Sequence, residues 1–223
     1  MTFLPKPSRS IALVMAFVLV GCSSSSNSGS SDPDGGAAVG SGDCKAGKNA
    51  AFAMPAGTPF ALPAGITLDG EMTGDVDPNC GSNSFVEYGG DDLPVCIGLK
   101  NTGTADVTVT FPAGLTFISK DPTSQNGIIL QKHDLVATAG KTTYFYFRLF
   151  CINEHCIYGR KQDRYTFGNV SNDPRIAELI SLAANKKLVN GSDISAALFN
   201  AVWDITDGDG LTDAHRTAVQ QSN

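Results

Sequence analysis

The sequence predicts an α+β protein, an antiparallel β-sandwich over residues 44–165 followed by a small C-terminal helical subdomain over 166–223 packed on it. Three observations carry that expectation. Short runs of β-branched and aromatic residues recur from 66 to 151 between Gly, Asn, Asp and Pro turns, as they do in layered antiparallel sheets. The run 141–156, KTTYFYFRLFCINEHC, is the most aromatic segment beyond the N-terminal region and alternates as a strand does. After Asn172 the apolar spacing becomes helical.

Taken in order, the chain opens with a basic region holding Lys6 and Arg9, an apolar run over 11–20, and Gly21-Cys22. That run is too short to span a bilayer, which takes about 20 helical residues, and has the size of a secretory leader's core. Leu19-Val20-Gly21-Cys22 resembles the lipobox of bacterial lipoproteins. The resemblance implies removal of residues 1–21 and acylation of Cys22, each buried methylene adding about 0.8 kcal/mol of membrane affinity. Ser23 in place of Asp implies, by the same resemblance, delivery to the outer membrane or cell surface. Residues 22–43 are mostly Ser, Gly, Asn, Asp and Ala, cannot offset their ordering entropy by burial, and read as a flexible tether.

Removing 21 of 223 residues leaves 202, enough for one large or two small domains. Lys6 and Arg9 leave with the leader, so 16 basic side chains become 14 against 22 acidic ones, and the charge moves from −6 to −8. Such a body lacks the cationic footprint of a nucleic-acid binder, and nucleic acid is excluded as a partner. With Cys22 committed to lipid, Cys44, Cys80, Cys96, Cys151 and Cys156 remain. Exported proteins form disulfides by default, and an odd set leaves one thiol over. Cys80 with Cys96 and Cys151 with Cys156 are the candidate pairs, although spacing does not fix connectivity.

Pro55, Pro59 and Pro63 make the start of the body extended loop, with an edge strand over 66–71. Strands are then expected over 85–88, 94–100, 106–111, 115–119, 127–130 and 142–151. Val107, Val109 and Phe111 alternate with Thr108 and Thr110, so that strand buries one face. The phrase IGLKNTGTADVTVTFPAG, a strand ending in Asn-Thr-Gly before one of alternating Val and Thr, resembles the immunoglobulin-like modules of bacterial surface proteins. In looser form it is similar to the secreted proteinase inhibitors built on that sandwich. The resemblance is confined to this phrase and implies an immunoglobulin-like topology.

In the last third, Ser171 or Asn172 is expected to cap a helix with Pro174 in its first turn and Ile176, Leu179, Ile180 and Ala183 on one face. Lys186, Lys187 and Asn190-Gly191 close it. Ser192 caps a second helix with Ile194, Leu198, Ala201 and Ile205 in a stripe, and Thr212 or Asp213 begins a third that runs to about Gln220. Each is too short to stand alone, so all three must pack on each other or on the sheet. The phrases FCIN at 150–153 and AVWDITDG at 201–208 resemble the surface thioester domains of bacterial adhesins. In that family a Cys sulfur and a Gln carbonyl carbon join, and the strained acyl group captures a nucleophile on a host surface. Cys151 matches the cysteine, and Ala201 and Trp203 match the Ala and Trp. Phe199 occupies the Gln position, four before Trp203, and phenylalanine has no acyl carbon to donate. Cys151, Phe199 and Trp203 are therefore expected to form a degenerate thioester site, a scaffold without the bond.

Asp207, Asp209 and Asp213, spaced around glycines, offer a weak calcium alternative. A helix end, a glycine turn and an acidic helix start explain the same residues. Cys151, His155 and Cys156, with His133, lack the paired spacing of a zinc site. No G-x-S-x-G and no H-E-x-x-H occurs, and the reading assigns no catalytic residue, no metal, and no cofactor beyond lipid on Cys22. The expected function is that of a membrane-anchored surface lipoprotein with a non-catalytic binding or structural role, its partner a surface protein or glycan. The alternative is a thioester-related adhesin or an inhibitor of a secreted protease, whose contact would be the exposed loop 120–126.

Overall fold

The computed structural model describes residues 44, 54–74, 80, 87–89, 93–208 and 210–222. The leader, Cys22 and the tether lie outside them, as does Asp209. Among the described residues eleven strands precede three helices. The strands are β1 (Gly57–Pro59), β2 (Ile66–Leu68), β3 (Met72–Gly74), β4 (Glu87–Gly89), β5 (Leu93–Asn101) and β6 (Val107–Phe111). They continue as β7 (Leu115–Ser119), β8 (Asn126–Ile128), β9 (His133–Ala137), β10 (Thr142–Ile152) and β11 (Arg164–Ser171). The helices are α1 (Pro174–Ala183), α2 (Asp193–Thr206) and α3 (Asp213–Gln221).

The expected immunoglobulin-like sandwich does not form. Strands β5, β3, β11, β7, β8 and β10 join edge to edge, each pair antiparallel, and β10 returns to β5, so the sheet closes into a six-stranded barrel. A sandwich keeps two sheets with separate edges, whereas closure removes the edges of the strands in the ring. Three long strands make closure possible because each divides one edge between two neighbours. Strand β10 gives residues 142–149 to β5 on one side, while its other side takes β4 in parallel at 146–148 and then β8 at 150–152. Strand β5 carries β3 and β2 in succession on its far side, and β11 carries β3 and β1 opposite β7. Strands β6 and β9 form a separate two-stranded antiparallel sheet, joined to the same core through Val109, Phe111, Leu135 and Ala137.

Strand β11 occupies the centre of this closure, yet its sequence barely announces it. RYTFGNVS is interrupted by Gly168-Asn169, and the register slips between Phe167 and Val170, so strict alternation is lost at a bulge. Gly168 is required there: a Cβ would lie 2.4 Å from Thr116 Oγ1 and 2.8 Å from Ile118 Cγ1 on the adjoining β7.

The helices follow their patterns closely. Asp173, rather than Ser171 or Asn172, caps α1 by accepting from Arg175 N at 2.8 Å. Ser192 and Thr212 cap α2 and α3 with side chains that accept from Ser195 N and His215 N. Helix α1 ends at Ala183, ahead of the expected Asn190-Gly191 stop, and its closing carbonyls are met by a distant residue. Gln131 Nε2 donates to Ala183 O at 2.7 Å and to Lys186 O at 2.8 Å. One continuous apolar core runs from Phe117, Phe147 and Leu149 of the barrel to Ile176, Leu179, Leu198 and Val202 of the helices, with α2 lying against β10.

Among the described residues two disulfides form, Cys80–Cys96 and Cys44–Cys156. The first is the expected pair; the second replaces the expected Cys151–Cys156. Cys151 stands on β10 opposite Gly127, fully buried in the core. Asn153, at φ 69°, then turns the chain, and Cys156 N donates to Asn153 O at 3.0 Å, carrying Cys156 away to meet Cys44.

Candidate functional site

The alternation of β10 builds one wall of a cleft. Phe145, Phe147 and Leu149 enter the core, so Tyr144, Tyr146 and Arg148 emerge on the opposite face. Tyr144 donates its hydroxyl to Asp69 Oδ2 at 3.0 Å, and the Arg148 guanidinium carbon lies 5.5 Å from the centre of the Tyr146 ring. That is cation–π range, and it holds a long flexible side chain over a flat partner.

The facing wall is the segment 158–162, between Cys156 and β11. It is fastened at one residue above all. Arg160 N donates to Asp163 Oδ2 at 2.8 Å, Asp163 N returns to Arg160 O at 2.9 Å, and Arg160 Nε reaches Asp163 Oδ1 at 3.3 Å. Arg160 Nη2 also contacts Ser124 Oγ at 3.2 Å and pairs with Asp121 Oδ2. Asp163 is almost wholly buried, and a buried carboxylate needs such a partner to offset its desolvation. The Asp121 carboxyl is held below the usual carboxylate range, first by the hydroxyl and amide of Thr123 and then by Arg160.

Beneath this wall the packing is tight. A Cβ on Gly159 would stand 2.3 Å from Leu93 Cδ1 and 2.6 Å from the Tyr165 hydroxyl, so only glycine lets the segment sit this low. Burial pushes the Tyr165 phenol far above its ordinary pKa, with Asp163 and Cys151 adding to the shift. It remains neutral at any physiological pH.

Together the walls enclose an open cleft of about 510 Å³ lined by Pro94, Tyr146, Arg148, Tyr158, Gly159, Arg160, Lys161 and Gln162. Three of these residues are cationic and none is acidic, in a chain with 16 basic and 22 acidic side chains. The sequence reading assigns none of the cationic residues to a site. The signal available was YGRKQDRY at 158–165, three cations interleaved with tyrosine, in an otherwise acidic chain.

The residues singled out from sequence lie elsewhere. Cys151, Phe199 and Trp203 all belong to or pack against the main core, and Phe199 and Trp203 stack on each other with ring centres 4.1 Å apart. Cys156 has its sulfur in a disulfide and His155 is exposed, so the Cys-His grouping offers no joint donor set. Asp213 opens α3 and accepts from Arg216 Nη1 at 2.9 Å, while Asp207 accepts from the Thr206 hydroxyl. These two carboxylates serve helix ends. The loop 120–126, expected to be exposed, buries Ser124, Gln125 and Asn126, and Asn126 Oδ1 accepts from Ser119 N at 2.9 Å. The second half of the loop thus braces the fold, while Lys120 and Pro122 stay exposed.

No family model matches the chain, and no curated protein and no solved structure matches it either.

Proposed function

We propose that this chain is a lipid-anchored bacterial surface protein whose closed barrel holds out a preformed, non-catalytic binding cleft. The observation that carries the reading is that both disulfides brace the walls of that one cleft. Cys96 stands opposite Tyr146 in the β5–β10 register, and Cys156 lies two residues before Tyr158. Disulfides suit an exported protein, and walls fixed in advance lower the ordering cost that binding must meet. The lipobox phrase ending in Cys22 supports export and anchoring, and the Ser/Gly-rich stretch 22–43 supports a tether that extends the barrel toward a surface protein or glycan.

Expression of the full chain in a Gram-negative host tests the anchor. The product is expected in the membrane fraction with acyl mass on an N-terminal Cys22, and Cys22→Ser is expected to release it as soluble protein. An unprocessed or soluble parent chain would remove the lipoprotein reading.

A further inference from the structure

We propose that Asn190 is a site of spontaneous covalent modification, its side-chain amide closing on the backbone nitrogen of Gly191 and hydrolysing to a mixture of isoaspartate and aspartate. The site lies in the α1–α2 connection and is independent of the anchor and the cleft.

The sequence holds two Asn-Gly pairs, Asn126-Gly127 and Asn190-Gly191. A glycine after asparagine has no side chain to hinder the approach of its nitrogen to the asparagine Cγ, and it gives the backbone freedom to reach the closing geometry. Both pairs are therefore intrinsically reactive, and the fold decides between them.

Asn126 is held. It is fully buried on β8, between β7 and β10, and its Oδ1 accepts from Ser119 N at 2.9 Å. Gly127 stands opposite Cys151 on one side and Phe117 on the other, and a Cβ there would lie 2.6 Å from Leu149 Cδ1. Closing a five-membered ring would take both residues out of their ladders, which requires local unfolding of the barrel.

Asn190 is not held. It and Gly191 are exposed in the turn between α1 and α2. Gly191 has φ 75°, and a Cβ on it would meet nothing within 4 Å, so ring closure displaces no neighbour. The turn is fastened at its ends, where Ser192 N and Ser192 Oγ both donate to Val189 O, at 3.1 and 2.6 Å. Between those ends the Asn190 side-chain amide and the Gly191 N–H have no hydrogen bond among the described residues.

The step balances with solvent alone. Gly191 N, losing its proton to solvent base, bonds to Asn190 Cγ as the Cγ–Nδ2 bond breaks and the nitrogen leaves as ammonia. Water then opens the succinimide. Cleavage at Cγ restores the original backbone with aspartate, and cleavage at the main-chain carbonyl gives isoaspartate, whose backbone runs through the side-chain carbon. Nothing is oxidised or reduced. Either product places a new carboxylate two residues before Ser192, the cap of α2, at the end of the helix where the dipole favours negative charge. Isoaspartate also lengthens the turn by one methylene.

The test ages the full chain in detergent micelles in mildly alkaline buffer and follows tryptic peptides 188–216 and 121–132 by mass. Fragmentation places the change, and isoaspartyl methyltransferase counts isoaspartate. Asn190 is expected to turn from amide to acid at least about tenfold faster than Asn126 in the folded protein, and the two rates to converge in urea. The rate at Asn190 should rise with pH, because the attacking amide must lose its proton. Gly191→Ala should slow the change at least about tenfold. Asn190→Gln should abolish it, since a six-membered ring closes less readily, and this exchange of one exposed side chain keeps the test valid if Gly191→Ala strains the turn. The assignment fails if Asn190 stays an amide in the folded protein, if Asn126 reacts as fast there, or if the mass change in 188–216 survives Asn190→Gln.

Discussion

Asp173 shows how much a single side chain can fix. Its carboxylate caps α1 and also grips Arg175, with Nη2–Oδ2 at 2.6 Å and Nε–Oδ1 at 3.0 Å. The side-chain bond from Arg175 is the main reason its carboxyl is held below the ordinary carboxylate range. Asp173→Ala is expected to cost about 1 kcal/mol in urea unfolding at pH 7. Because the folded pKa is the lower one, this contribution is complete above the unfolded pKa of about 3.9 and is lost as pH falls through the folded value. The stability gap between parent and variant should therefore be constant above the unfolded pKa and shrink as pH falls below it, and a gap that did not shrink on acidification would refute the account. His133 behaves alike for a different reason. It is half-buried with its ring 5.8 Å from that of Phe147, and burial lowers its pKa against the opposing pull of Asp134. Its neutral form is the one that fits. The resulting stability is present above the unfolded pKa of about 6.5 and is lost as pH falls through the folded value, so His133→Gln should flatten the stability slope in that window. A slope identical to that of the parent would place the titration elsewhere.

At the scale of elements, the caps of α2 and α3 and the apolar stripe of α2 are legible because they are local, while the cap of α1 falls at Asp173, one or two residues past the expected Ser171 or Asn172. Ser192 and Ile194, Leu198, Ala201 and Ile205 occupy in the structure the places their spacing predicts. The end of α1 is not legible. A glycine stop is visible in sequence at Asn190-Gly191, but the helix closes earlier because Gln131, more than fifty residues upstream, supplies donors to its last carbonyls. Gln131→Ala should therefore cost about 1 kcal/mol, since Ala183 O keeps its bond from Lys186 N while Lys186 O in the following turn loses this donor, with faster amide exchange at the end of α1 than in α2. A uniform change across all helices would point to global loss instead. Strand β11 is missed for a similar reason: a bulge breaks its alternation, and its pairing with β1, β3 and β7 supplies what periodicity lacks.

At the scale of the whole molecule, the two disulfides differ in what they constrain. Cys44–Cys156 joins residues 112 apart and Cys80–Cys96 residues 16 apart. On loop entropy alone these contribute about 4–5 and about 3 kcal/mol respectively. Loss of the first by Cys44→Ala with Cys156→Ala should lower the melting temperature more than loss of the second by Cys80→Ala with Cys96→Ala; equal shifts would contradict the entropic ordering. Cys151, in neither disulfide and fully buried, should react with an alkylator only after unfolding. Alkylation of the native protein at a comparable rate would show that the core opens there.

The sequence by itself determined the β-rich body, the three C-terminal helices and most of their caps, because each of these is written in neighbours a few residues apart. Tertiary structure alone decided that the sheet closes, since an alternating strand reads the same in a sandwich and in a barrel, and only the partners along β5, β10 and β11 distinguish them. It also decided the Cys44–Cys156 pairing and the cleft. Tyr146 and Arg148 meet Arg160 and Lys161 across a gap that local spacing does not encode, because one wall is a barrel strand and the other is a loop fastened by Asp121 and Asp163.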